Sequence, residues 1–156
     1  MEAIKTIALV AHDNCKKDMV EWVNWNWSML LEHKLVCTGT TGRLVEDALK
    51  LQANKGHRFK HDIVKLKSGP FGGDQQLGAM IVDGEIDILI FFWDPMQPQP
   101  HDVDVKALLR ISVLYNIPSA CNRATADFLI SSHLMKEKYS QVIKDQSEYL
   151  GRILEV

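Results

Sequence analysis

Ser68-Gly69-Pro70-Phe71-Gly72-Gly73-Asp74-Gln75-Gln76-Leu77-Gly78-Ala79-Met80 begins as a turn and ends as a helix. Three glycines and a proline precede Asp74, and helix-like spacing follows it. A turn of this make-up brings bare backbone N–H groups close to an anion. The helix start adds further N–H groups and the positive end of a macrodipole. An aspartate pointing into such a place would repel the anion. Two readings stand: Asp74 caps the helix, as aspartate often does, or it reaches a carbon next to a bound phosphate and acts as a base.

Working outward, Ile63-Val64-Lys65-Leu66 delivers the chain to the turn as a short strand, and the helix runs from Asp74 to Asp83, with Gly84 as its stop. Ile86 to Trp93 follows as the strongest strand, apolar on both faces and therefore central. Further upstream, Ile4 to Ala11 reads as a buried strand, and a helix is predicted from about Cys15 to His33. Trp22, Trp25 and Trp27 cannot all face one side of that helix, so at least one is expected outside the core. Leu35-Val36-Cys37 is a short strand, Arg43 to Ala53 has helical spacing, and polar, basic Asn54 to Asp62 reads as an exposed loop. Downstream, Asp94 to His101 holds three prolines and reads as a stiff loop. A helix then runs from Asp102 or Asp104 to about Tyr115. Ile117 to Cys121 is a fifth strand, Ala124 to Ile130 a helix, and the remainder to Val156 a weaker helical tail.

Strands alternate with helices throughout, which predicts one doubly wound α/β domain over residues 1–156, with a mainly parallel five-stranded sheet flanked by helices. In such sheets the ligand crevice lies beyond the carboxyl ends of the strands. Four polar clusters follow strands: His12-Asp13, Thr38 to Gly42, Ser68 to Asp74, and Asp94 to Asp104. All four are expected on one rim.

The totals narrow the classes of function. A formal net charge of -2 leaves no nucleic-acid footprint. The longest apolar run contains Asp87 and is far too short to cross a membrane. Met1 leads into a strand-like segment without a signal-peptide pattern. Cys15, Cys37 and Cys121 are odd in number and widely spaced, which fits reduced thiols in a cytoplasmic protein.

Thr38-Gly39-Thr40-Thr41-Gly42 places three hydroxyls and two glycines at a helix start, which suits a phosphate or a plain helix cap. It lacks the Gly-Lys-Ser/Thr ending of a Walker loop. Lys16 lies one helical turn beyond Asp13 and offers a positive charge. In His101-Asp102-Val103-Asp104, a carboxylate three residues on can hold the imidazole in one tautomer, suiting proton transfer between substrate oxygens. The alternative is a surface histidine beside helix-capping aspartates. His12-Asp13 with His101 to Asp104 also resembles a divalent-metal set. No second histidine stands at helical spacing and no cysteine joins, so no metal is expected.

The chain resembles methylglyoxal synthases over nearly all its length. The stretches that carry the resemblance are Ile7 to Asp13 with Cys15-Lys16, Thr38 to Gly42, Ser68-Gly69-Pro70 with Gly72 to Gln76, Ile90 to Pro95, Pro100-His101-Asp102 with Asp104 to Arg110, Asn116-Ile117-Pro118 and Ala124 to Asp127. The resemblance implies a carbon–oxygen lyase that turns dihydroxyacetone phosphate into methylglyoxal and inorganic phosphate, without cofactor. By position it implies Asp74 as catalytic base, His101 as the group that polarises and protonates substrate oxygens, and Asp104 as its orienting partner. Asp13 and His12 match residues near the substrate hydroxyl end. Lys16, Thr38, Gly39, Thr40, Thr41, Ser68 and Gly69 match phosphate or substrate contacts. A homohexamer inhibited by phosphate is also implied.

The chain departs from the family pattern in a longer Gln52 to Asp62 segment and in Val103, where proline is common. Arg152 aligns loosely with a C-terminal arginine tied to phosphate signalling between subunits. The same fold also serves as an effector-binding domain in carbamoyl phosphate synthetases. Such a module has no need of Asp74, His101 and Asp104 together.

Overall fold

The structure, a computed structural model, describes residues 1–53, 56, 59–145 and 147. Five strands form one sheet: β1 (Thr6–Ala11), β2 (Lys34–Thr38), β3 (Ile63–Leu66), β4 (Ile88–Phe92) and β5 (Ser119–Ala120). Their order is β3-β2-β1-β4-β5 and every pairing is parallel. The helices are α1 (Lys16–Trp25), α2 (Trp27–Leu30), α3 (Gly39–Ala53), α4 (Gly73–Val82), α5 (Asp102–Leu114) and α6 (Arg123–Ser131). The doubly wound reading therefore holds, and the sheet is parallel throughout. The chain moves outward from β1 to β3, then returns to the other side of β1 as β4. That reversal opens a crevice where the loops after β1 and β4 part.

Two cores follow from strand alternation. Ile7, Leu9 and Ala11 of β1, with Ile88, Ile90 and Phe92 of β4, face α1, α3 and α6 through Trp22, Leu49 and Ala126. Ala8 and Val10, with Leu89 and Phe91, face α4 and α5 through Leu77, Ile81, Val105 and Leu108. The β1–β4 register pairs Val10 with Phe91 and Ala11 with Phe92, so both strands end level. Just beyond them the Asp94 backbone N–H meets the His12 ring at Nδ1, 3.2 Å away.

Local differences from the sequence reading have physical causes. The helix expected from Cys15 to His33 is interrupted: a 3-10 turn spans Asp13–Cys15, and α1 stops before Asn26. The Asn26 side chain donates to the Trp22 carbonyl at 2.9 Å, competing with the helical ladder. Trp22 is fully buried, Trp27 packs partly against the core and Trp25 is exposed, so the three tryptophans divide as expected. Helix α3 begins at Gly39 rather than Arg43, making the Thr/Gly segment its first turn. Only Ser119–Ala120 of the fifth strand pairs. A 3-10 turn spans His133–Lys136, and 137–145 is not the expected helix. Its carbonyls are taken by side chains from elsewhere: Lys5 Nζ donates to Glu137 at 2.5 Å and Asn116 Nδ2 to Val142 at 2.8 Å. Of the basic loop, residues 54, 55, 57 and 58 lie outside the described residues, as does Arg152. Among the described residues no helix is long and apolar enough to cross a membrane.

Candidate active site

The four polar clusters meet in one cavity at the carboxyl ends of β1, β2, β3 and β4. Its volume is about 70 Å³, and its wall includes His12, Asp13 and Lys16, then Thr38 to Thr41, Ser68 to Pro70, Asp74 and His101. Asp104, to which the resemblance gives an orienting role, does not line it.

The geometry speaks against the capping reading of Asp74. Helix α4 is preceded by Gly72 in the left-handed region (φ 95°), and no side chain caps it. Asp74 is 3% exposed, and neither carboxylate oxygen has a hydrogen-bond partner among the described residues. A buried carboxylate that bonds to nothing is not a cap. Its Oδ2 lies 3.6 Å from His101 Nε2. Burial pushes the Asp74 pKa up, the His101 side opposes this, and the nearby Asp104 charge adds to the rise.

His101 immediately precedes α5 and is buried, not a surface residue. Its carbonyl accepts from the Asp104 N–H at 2.9 Å, while its Nδ1 is buried without a partner among the described residues. The Asp104 carboxylate makes no hydrogen bond to that ring. Asp102 Oδ2 accepts from the Gln99 N–H at 3.2 Å, and its own N–H returns to the Gln99 carbonyl. That reciprocal turn fixes the exit of the proline loop.

Close backbone approach sets the geometry between the carboxylate and the imidazole. A Cβ on Gly69 would stand 2.7 Å from His101 Nε2 and 3.0 Å from Asp74 Oδ2. A Cβ on Gly73 would stand 2.1 Å from the Lys67 carbonyl oxygen, so only glycine lets the turn fold under β3. Gly39, at φ 38°, approaches Ser68 in the same way and donates its N–H to the Lys67 carbonyl at 3.1 Å.

On the opposite wall, Lys16 Nζ donates to both Asp13 Oδ1 and Thr40 Oγ1. The lysine holds the exposed Asp13 carboxyl below the usual carboxylate range. Thr38 and Thr41 are buried. The N–H groups of Thr40 and Thr41, in the first turn of α3, have no carbonyl one turn back to receive them. His12 is buried with its ring edge-on to Phe91 (5.0 Å) and to His101 (5.7 Å). Its pKa is lowered, first by burial and then by His101.

Gln99 and Phe91 also line the cavity, although neither was a candidate site residue in the sequence. The available signal for Gln99 was its place between Pro98 and Pro100, two residues before His101. Prolines on both sides restrict its backbone and present the side chain from a stiff loop.

A family model described as the MGS-like domain matches residues 18–121. A methylglyoxal synthase of Maridesulfovibrio salexigens is 57% identical, covering 99% of this chain and 100% of its own. The chain belongs to the methylglyoxal synthase family. A second methylglyoxal synthase, from Coxiella burnetii, is 48% identical over 97% of this chain and 99% of its own. The crystal structure of the methylglyoxal synthase from Elizabethkingia anophelis NUHP1 superposes with a TM-score of 0.87 at 49% identity, covering 100% of this chain and 97% of that one. The methylglyoxal synthase fold is thus matched over the whole chain.

Proposed function

We propose that this chain converts dihydroxyacetone phosphate to methylglyoxal and inorganic phosphate. The observation that carries the proposal is Asp74: a buried, unpartnered carboxylate 3.6 Å from an imidazole, in a cavity whose other wall carries threonine hydroxyls and a helix start. The phosphate of the substrate sits against Thr40, Thr41, Ser68 and Gly69, with Lys16 and Thr38 beside it. Asp74 takes a proton from the hydroxymethyl carbon next to the ketone, and the electron pair moves onto the carbonyl oxygen. His101 donates to that oxygen and steadies the enediolate. His12 and Asp13 face the hydroxyl end. The hydroxyl proton passes to the departing phosphate as the C–O bond breaks and phosphate leaves with the electron pair. The enolate that remains takes a proton at carbon to become methylglyoxal, and Asp74 releases the proton it took.

A free aspartate has a pKa of about 3.9 and is a poor base for carbon. Burial without hydrogen bonds makes Asp74 a stronger one. Asp104 supports that rise through its charge. The resemblance further suggests a homohexamer inhibited by phosphate, for which light scattering and inhibition assays are the checks.

The deciding experiment mixes purified protein with dihydroxyacetone phosphate and follows methylglyoxal and phosphate release. Asp74→Asn is expected to lower kcat by about a thousandfold while a phosphate-bearing analogue still binds. Equal loss of turnover and binding would show that Asp74 holds the ligand or the fold instead.

A further inference from the structure

The loop after β4 is tied to the turn after β1 by one exposed side chain. Asn14 Nδ2 donates to Asp94 Oδ2 at 2.8 Å and to Gln97 Oε1 at 2.7 Å. Asp94 Oδ1 accepts from the Met96 N–H at 2.9 Å, so both carboxylate oxygens are engaged. The Asp94 backbone N–H, in turn, reaches His12 Nδ1 at 3.2 Å. A backbone N–H can only donate, so Nδ1 must present its lone pair. The ring proton of neutral His12 is thereby left on Nε2. That nitrogen is buried and has no partner among the described residues, on a residue that lines the cavity.

We propose that Asn14 is a positioning residue: by bracketing Asp94 and Gln97 it holds the Asp94 amide against His12 Nδ1, and so keeps His12 a donor toward substrate through Nε2. The inference rests on the reading in which His12 meets the substrate. It makes His12 a fixed hydrogen-bond donor and not a base, leaving proton abstraction to Asp74. The two roles sit on different strands: Asp74 follows β3, while His12 and its tether span β1 and β4. Main-chain pinning of an imidazole in one tautomer is a general way to commit a histidine to a single role.

The test uses ring-nitrogen NMR of the full chain together with steady-state kinetics. In the unaltered protein His12 is expected to show one protonated and one bare nitrogen near neutral pH. Asn14→Ala and Asp94→Ala are expected to move both signals toward the average of two tautomers and to lower kcat/KM about tenfold. Their double variant should be no worse than either alone, because the two act on one link. Asp94→Asn leaves one oxygen for two donors, Asn14 Nδ2 and the Met96 N–H, and is expected to lose part of both signature and rate, less than Asp94→Ala does. Unchanged ring signals in Asn14→Ala would overturn the proposal. So would altered signals with kcat/KM within about twofold of the unaltered protein, or a rate loss without any tautomer change. Failure of the unaltered protein to turn over dihydroxyacetone phosphate would refute the proposed activity, yet the NMR arm would still decide whether Asn14 sets the tautomer.

Discussion

Asp74 is the residue at which stability and chemistry oppose each other. Its folded-state pKa is raised, first by burial, so the folded protein holds that proton more tightly than the unfolded chain does. Stability from this group is therefore greatest below the unfolded value of about 3.9 and falls as pH rises through the folded value. Asp74→Asn removes the cost of a buried, unbonded charge and should raise Tm at neutral pH by a few degrees, as scanning calorimetry can show. Activity runs the other way. The base must be ionised, so kcat/KM should climb with pH along an acidic limb centred above about 3.9. A pH–rate profile checks this, and a limb at the free-carboxyl position would contradict the burial argument. Gly69→Ala tests the same meeting point sterically. A methyl group 2.7 Å from His101 Nε2 must part the imidazole from the carboxylate. The expected loss in kcat/KM is about a hundredfold, measured in the same assay. Calorimetry should show the fold intact.

At the scale of elements, the first turn of α3 is the feature to test. Its N–H groups and hydroxyls converge where the phosphate is proposed to sit, and Lys16 reaches Thr40 from the neighbouring turn. These donors can do more than bind. They can hold the phosphate C–O bond perpendicular to the enediolate plane, where elimination is easiest. Orientation of the leaving group then decides between elimination and mere return of the proton. Thr40→Val should lower the ratio of phosphate release to exchange of substrate hydrogen with deuterated solvent by about threefold or more. An unchanged ratio, with both rates falling together, would count against this role. The start of α3 at Gly39 was not legible locally. Thr-Gly-Thr-Thr-Gly is poor helix sequence, and the segment becomes helical because Gly39 docks on the turn that carries Ser68 and Lys67.

For the molecule as a whole, the end of the sheet opposite the active site is closed by Lys5. Its side chain is 2% exposed and donates at 2.5 Å to the carbonyls of Glu2 and of Glu137. Its own backbone N–H reaches His33 Nδ1 at 3.2 Å. One residue thus joins the amino-terminal segment, the approach to β2 and the irregular stretch beyond Lys136. Lys5→Met keeps the volume and removes both donors. Hydrogen exchange in 137–145 should accelerate by about tenfold or more, while exchange in β1 and β4 changes little. Uniform acceleration across the sheet would mean that Lys5 supports the global core instead.

The sequence by itself determined the layered fold and the rim on which function gathers. Apolar runs of strand length, each ending in a polar cluster, admit few arrangements other than a parallel sheet with those clusters at one end. Family strings such as Gly72-Gly73-Asp74-Gln75-Gln76 then named the chemistry. Only the tertiary structure decided that Asp74 leaves its helix uncapped and meets His101, that Asp104 stays off the cavity wall, and that Gln99 joins it. It also set an amide 82 residues away in the chain against His12 Nδ1. The reason is range: strand and helix patterns are written in neighbours a few residues apart. The state of a buried polar atom depends instead on whichever distant backbone the packing brings against it.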